Sequence, residues 1–112
     1  MQNLNEVRFI GHVGNDPIFK EISANFKAAS FSLATSDTFE KDGNKQPITH
    51  WHNCEARNGL AEIVSKYVKK GSPVFVSGKL AYDKYTPEGA TKEIVKAKIV
   101  LDRVIVLDKN EG

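Results

Sequence analysis

THWHNCEARNGLAEIVSKYVKKG, residues 49 to 71, changes its period halfway along. Up to Arg57 the residues split onto two sides, as a pleated strand places them: His50, His52 and Cys54 on one, Trp51, Asn53, Glu55 and Arg57 on the other. From Leu60 onward the apolar residues Leu60, Ile63, Val64, Tyr67 and Val68 recur at helical spacing, with Glu62, Lys66, Lys69 and Lys70 polar between them. A helix therefore starts near Asn58 or Gly59 and ends before Gly71. No other stretch carries a convincing helical period.

Working outward, Val7 to Val13 reads as a first strand, with Gly11 and Gly14 marking a bulge or sharp bend and Asp16-Pro17 a turn. A short Ile18 to Glu21 piece follows. Phe26 to Thr35 alternates cleanly, with Ala29, Phe31, Leu33 and Thr35 on one parity and Ser30, Ser32 and Ala34 on the other. Ser36 to Pro47 is polar and contains glycine, which predicts a loop or a mobile two-stranded finger around Asp42-Gly43. Ile48 to Ala56 is the third strand. After the helix, Pro73 to Tyr85 and Lys92 to Leu107 alternate again, separated by the turn-rich TPEGA. Strands on both sides of one helix, with glycines at the bends, predict an all-β, five-stranded closed barrel with the helix between strands 3 and 4. A split α+β sheet is the alternative.

The 112 residues, 40% apolar and 27% charged, make one small domain over 1–112 with a short polar tail, DKNEG. A net charge of +2 is too small to identify a partner, so the placement of charge matters more. The single cysteine excludes an internal disulfide and a thiolate-rich zinc site. The start, MQNLNEVRF, has no apolar run, and no stretch reaches membrane-spanning length, so the chain is expected not to be secreted.

The His50, His52, Cys54 side invites a metal or a Cys-His nucleophile. Same-face residues on a strand lie about 6.6 Å apart, so three in a row converge poorly on one ion. That spacing also keeps a base out of hydrogen-bonding reach of the thiol. No glycine-rich nucleotide loop, nucleophile elbow or metalloprotease helix occurs. We therefore expect no metal, no cofactor and no catalysis, with Cys54 a small buried hydrophobe and His52 a satisfied core or interface imidazole.

The Trp51 side differs. Asn53, Glu55 and Arg57 follow it; Phe75, Ser77 and Lys79 share a parity that ends in Tyr85; Lys96 and Lys98 line one side of the last strand; Phe39 stands alone among polar neighbours. Rings interleaved with cations suit a single nucleic-acid strand, whose bases stack on aromatics and whose phosphates attract Lys and Arg. The competing readings are Trp51 packed under the helix and Phe75 in the core. Lys66, Lys69 and Lys70 read as a solvated helix face.

VRFIGHVGNDP at 7–17, FSLATSDTF at 31–39, THWHN at 49–53, GLAEIVSKYVKKGSPVFVSGKL at 59–80 and KAKIVLDRVIVL at 96–107 span nearly the whole chain. In this order they closely resemble the bacterial and mitochondrial type of single-stranded DNA-binding protein. The resemblance implies an oligonucleotide-binding barrel, assembled as a homotetramer (a dimer of dimers), that coats single-stranded DNA in replication, recombination and repair without sequence preference or catalysis. It places binding aromatics at Phe39, Trp51 and Tyr85, and a cation, Arg57, where a ring is usual. Asn53 stands where many members carry Arg, and Glu55 where an apolar residue is common. His52 matches a histidine used around subunit contacts. Bacterial members also carry an acidic tail that recruits repair and replication proteins; this sequence stops at KNEG without it, as expected of either a trimmed domain or a mitochondrial-type member. The implied location is the bacterial cytoplasm and nucleoid or the mitochondrial matrix. A barrel that binds protein partners and one that binds single-stranded RNA are the alternatives.

Overall fold

Among the described residues, hydrogen bonding joins strands β1 (Val7–Val13), β2 (Ile18–Ser23), β3 (Phe26–Lys41), β4 (Asn44–Arg57), β5 (Pro73–Tyr85) and β6 (Ile94–Val106) into one sheet, against which packs one helix, α1 (Gly59–Tyr67). The computed structural model describes residues 2–107. The polar tail, Asp108 to Gly112, lies outside them. The strand order is β1-β5-β6-β4-β3-β2, and β1 also pairs with β3, so the sheet curls back on itself. All pairings are antiparallel except β4 with β6.

Two close approaches permit the curl. At the β1–β3 crossing, where His12 pairs with Ala34, a Cβ on Gly11 would fall 2.2 Å from the Ala34 carbonyl oxygen. In β5 the register shifts between Ser77 and Gly78, and a Cβ on Gly78 would fall 2.1 Å from the Val100 oxygen. Gly11 is thus a point of close packing within an unshifted β1–β5 ladder, in place of the bulge or bend expected there.

Among the described residues six strands stand where five were expected, because the short Ile18 piece is a strand of its own, paired with β3. The helix accordingly lies between the fourth and fifth strands in chain order. It stops at Tyr67, and Val68 is already extended with φ −96° and ψ 131°. The 36–47 segment continues β3 and β4 as a hairpin. Lys41 pairs with Asn44 across Asp42 (φ 53°) and Gly43 (φ 79°), the two left-handed residues of a two-residue hairpin turn.

The core is the inward parity of the strands: Ala29, Phe31 and Leu33 of β3, Cys54 and Ala56 of β4, Val74 and Val76 of β5, Ile99 and Leu101 of β6. The helix closes it with Ala61 and Val64, packing against β3, β4 and β6, and Val68 just past its end is buried with them. Ile63 and Tyr67 are exposed, unlike the expected apolar face. Ala61, too small to mark a periodicity, takes the buried place instead. Asn58 ties this end to β3: its Nδ2-bearing amide accepts from Lys27 N through Oδ1 (3.1 Å), and its own N–H donates to Lys27 O (2.8 Å). Among the described residues no helix is long and apolar enough to cross a membrane.

Candidate nucleic-acid interface

The register of β4 turns the opening motif into two surfaces. Inward, Cys54 is buried, and burial pushes its thiol up to about 12, which makes it inert. The His52 ring stacks on Phe9 with centroids 4.0 Å apart, and its Nε2 lies 2.9 Å from Thr35 Oγ1. Burial, with a smaller contribution from His50, holds its pKa below the usual imidazole value. Among the described residues no three His, Cys, Asp or Glu side chains are grouped to hold a metal ion.

Outward, Trp51 is 61% exposed. Its indole rests over Gly14, where a Cβ would come within 2.3 Å of Cζ3. Gly14 is thereby a positioning residue for the ring. Asn15 next to it accepts through Oδ1 from both Ser32 N (2.9 Å) and Ser32 Oγ (2.6 Å), which fixes the loop beside the same face.

The β4–β6 pairing is brief, only Cys54 with Ile99 and Glu55 with Val100. Beyond it the strands diverge and leave a cleft. Its upper part, about 350 Å³, is lined by Trp51, Asn53, Lys96, Ala97 and Lys98; the adjoining depression, about 460 Å³, adds Asn15, Ser30, Ser32, Glu55 and Asp83. Asn53 Nδ2 spans the cleft toward the Ala97 oxygen at 3.5 Å.

The β5–β6 register puts Tyr85 opposite Ile94, Asp83 opposite Lys96, Ala81 opposite Lys98 and Lys79 opposite Val100. These pairs point away from buried Ile99, so Lys79, Tyr85, Lys96 and Lys98 share the outward surface with Trp51 and Asn53. Lys96 Nζ sits over the Tyr85 ring, 5.6 Å from its centroid. Arg57 lies at the far end, its guanidinium carbon 5.7 Å from the Phe26 ring centroid.

Phe39 is placed differently. It pairs with Gln46, whereas Trp51 pairs with Ala34. Phe39 has the parity of Phe31 and Leu33, so one hairpin carries its two rings on opposite pleat faces. It is 47% exposed. The interface also includes acids: Glu55 and Asp83 stand among the cations, joined to Arg57 and Lys98. Gly14, Asn15 and Asp83 were not read as site residues in the sequence; the segment between β1 and β2 brings Gly14 under Trp51 and Asn15 to Ser32, and the β5–β6 ladder brings Asp83 to Lys98.

A family model described as the single-strand binding protein family matches residues 4–107. The chain belongs to that family. It is 39% identical over 112 residues to a single-stranded DNA-binding protein of Xanthomonas axonopodis pv. citri, covering 99% of this chain and 62% of the relative. It is 32% identical over 114 residues to the mitochondrial single-stranded DNA-binding protein of Bos taurus, covering 95% and 76%. Among solved structures it resembles the Plasmodium falciparum SSB in complex with ssDNA, with TM-score 0.87 and 28% identity over 96% of this chain and 98% of that one. The arrangement is a largely β, OB-fold-like sheet with one helix among its strands. The chain spans between 49% and 65% of the length of the first three bacterial relatives.

Proposed function

We propose that this chain binds single-stranded DNA without sequence preference and protects it during replication, recombination and repair, without catalysis. The observation that carries this reading is the exposed Trp51 beside a cleft whose outward face also holds Tyr85, Lys79, Lys96 and Lys98. Bases stack on Trp51 and Tyr85, each contact contributing about 1 to 3 kcal/mol, while the cations and Arg57 meet phosphates. Asn53 supplies a hydrogen-bonding edge in the cleft. Phe39, on the other face of its hairpin, is reached where the strand passes around that arm. Duplex DNA is disfavoured because its bases are not free to stack. The names of the relatives and of the solved neighbour support the same substrate.

Residues 1–112 act in this reading as one oligonucleotide-binding domain. Its barrel has five strands, β1, β3, β4, β5 and β6, with the helix between the third and fourth of these and β2 as a side strand. The β1–β3 and β4–β6 pairings support closure. The domain assembles as a homotetramer, a dimer of dimers, with His52 near subunit contacts. Exposed Ile10, opposite Phe75, supplies an apolar surface that association would cover. Bacterial and mitochondrial relatives place the chain in the bacterial cytoplasm and nucleoid or the mitochondrial matrix.

Titration with oligothymidine at low salt tests the assignment. Trp51 emission falls on binding, and light scattering reports a tetramer engaging the strand. Unchanged emission together with no complex in a gel shift overturns it. A matched RNA oligomer that competes better than DNA reassigns the substrate.

A further inference from the structure

We propose that Glu55 and Asp83 stand in for DNA phosphate on the binding face: each holds a cation in the free protein, and a bound strand has to displace it. The proposal rests on the single-strand-binding reading above. The four charges form a chain. Arg57 Nε donates to Glu55 Oε2 at 2.7 Å, Lys98 Nζ lies 3.5 Å from Glu55 Oε1, and the same Nζ lies 3.0 Å from Asp83 Oδ2. Lys98 is the most enclosed member, its side chain 18% exposed, with Glu55 at 22%.

The remaining cations of the face are not held this way. Among the described residues, neither Lys79 nor Lys96 has a carboxylate within ion-pair distance. Asp83 is the direct cross-strand partner of Lys96, yet its carboxylate reaches Lys98. The face therefore carries two free cations and two occupied ones.

A phosphate that approaches Arg57 or Lys98 meets a neutralised group and a nearby negative charge. It gains little until the carboxylate swings away, and that carboxylate then draws counterions of its own. Each phosphate neutralised on a single strand contributes a slope of about −0.7 to log K against log salt. Four free cations would give about −2.8 per chain, and two give about −1.4. The carboxylates thus reduce the purely electrostatic share of binding. Any polyanion loses this share, single-stranded DNA included, while base stacking on Trp51 and Tyr85 is untouched. Glu55 and Asp83 thus shift the balance of binding from charge toward stacking and leave the ratio between polyanions unchanged.

The test compares the full chain with Glu55→Gln/Asp83→Asn. Affinities for oligothymidine and for heparin are measured from about 20 to 300 mM NaCl, the range over which counterion release is read. The double variant is expected to steepen the salt slope by about 0.7 for each carboxylate removed. Affinity at the lowest salt should rise about fivefold per carboxylate, for heparin as well as DNA, as one unscreened charge at contact distance in water implies. Glu62→Gln makes the same charge change in the exposed Lys27 pair on the helix and should alter neither quantity. If the double variant does not fold, Asp83→Asn alone, at an exposed carboxylate, must still steepen the slope by about 0.7. A folded variant with an unchanged or shallower slope overturns the proposal and makes the carboxylates aids to cation placement. Absence of oligothymidine binding by the unmodified chain overturns the functional reading itself, a separate outcome.

Discussion

The sheet body and the two arms that leave it are built from the same four strands, β3 to β6, yet different forces hold them. In the body, inward side chains such as Leu33, Cys54, Val76 and Ile99 are buried, so a one-residue slip would turn the core outward. From Ser36 around the turn to Trp51 every residue is exposed, and from Tyr82 to Ala97 every residue but half-buried Pro87. There the ladder and the turn alone fix the register. The arms also differ from each other. The second places Tyr85 with Lys96 and Lys98 on the Trp51 surface, whereas the first sends Phe39 to the opposite pleat face. The body thus sets where the proposed interface lies, and arm register sets which face each ring is on.

Four measurements break or sharpen this contrast. The largest effect is expected in the body. Gly78→Ala drives a Cβ into the Val100 backbone and should cost about 3 kcal/mol of stability by chemical denaturation. Gly43→Ala meets no neighbouring atom but retains a left-handed φ of 79°, so it should cost about 1 kcal/mol and leave the core intact. Equal losses from the two would erase the distinction between body and arm.

Next comes binding. Trp51→Ala should weaken oligothymidine binding by about 2 kcal/mol with little change in melting temperature, because the ring is an exposed stacking surface. Lys70→Ala, a peripheral charge, should cost well under that. Phe39→Ala is expected to lose about 1 kcal/mol. Its effect should add to that of Trp51→Ala, since rings on opposite faces do not share a base. Strong non-additivity between them would place both rings on one base path.

The smallest effect concerns pH. Folding lowers the His52 pKa, chiefly through burial, so the folded state favours the neutral ring. The resulting stability is fully present above the unfolded value of about 6.5 and is lost as pH falls through it toward the folded one. Urea unfolding at a series of pH values should show this acid loss, and His52→Asn should flatten it. An identical profile in the variant removes His52 from the account.

Much of the candidate interface was legible because alternation reports parity. Trp51, Asn53 and Arg57 against His52 and Cys54 needed only a strand of known phase. Phe39 was identifiable as an exposed ring, but its face was not, because the polar 36–47 segment gives no apolar phase to count from. Glu55 was visible as an anomaly among the cations. Its clamp to Lys98 was not, because β4 and β6 meet across a short parallel contact between strands far apart in sequence.

By itself the sequence determined the mainly β architecture, the single helix, the inward and outward sides of β4 and the family likeness. All of these follow from local periodicity and from residue patterns along one strand or helix. Only the tertiary structure decided that Trp51 lies over Gly14, that Ala61 displaces Ile63 and Tyr67 from the core, and that acids occupy two of the four cations. Those are contacts between segments remote in the chain. They depend on how the sheet curls and which strands it brings edge to edge, which no local pattern encodes.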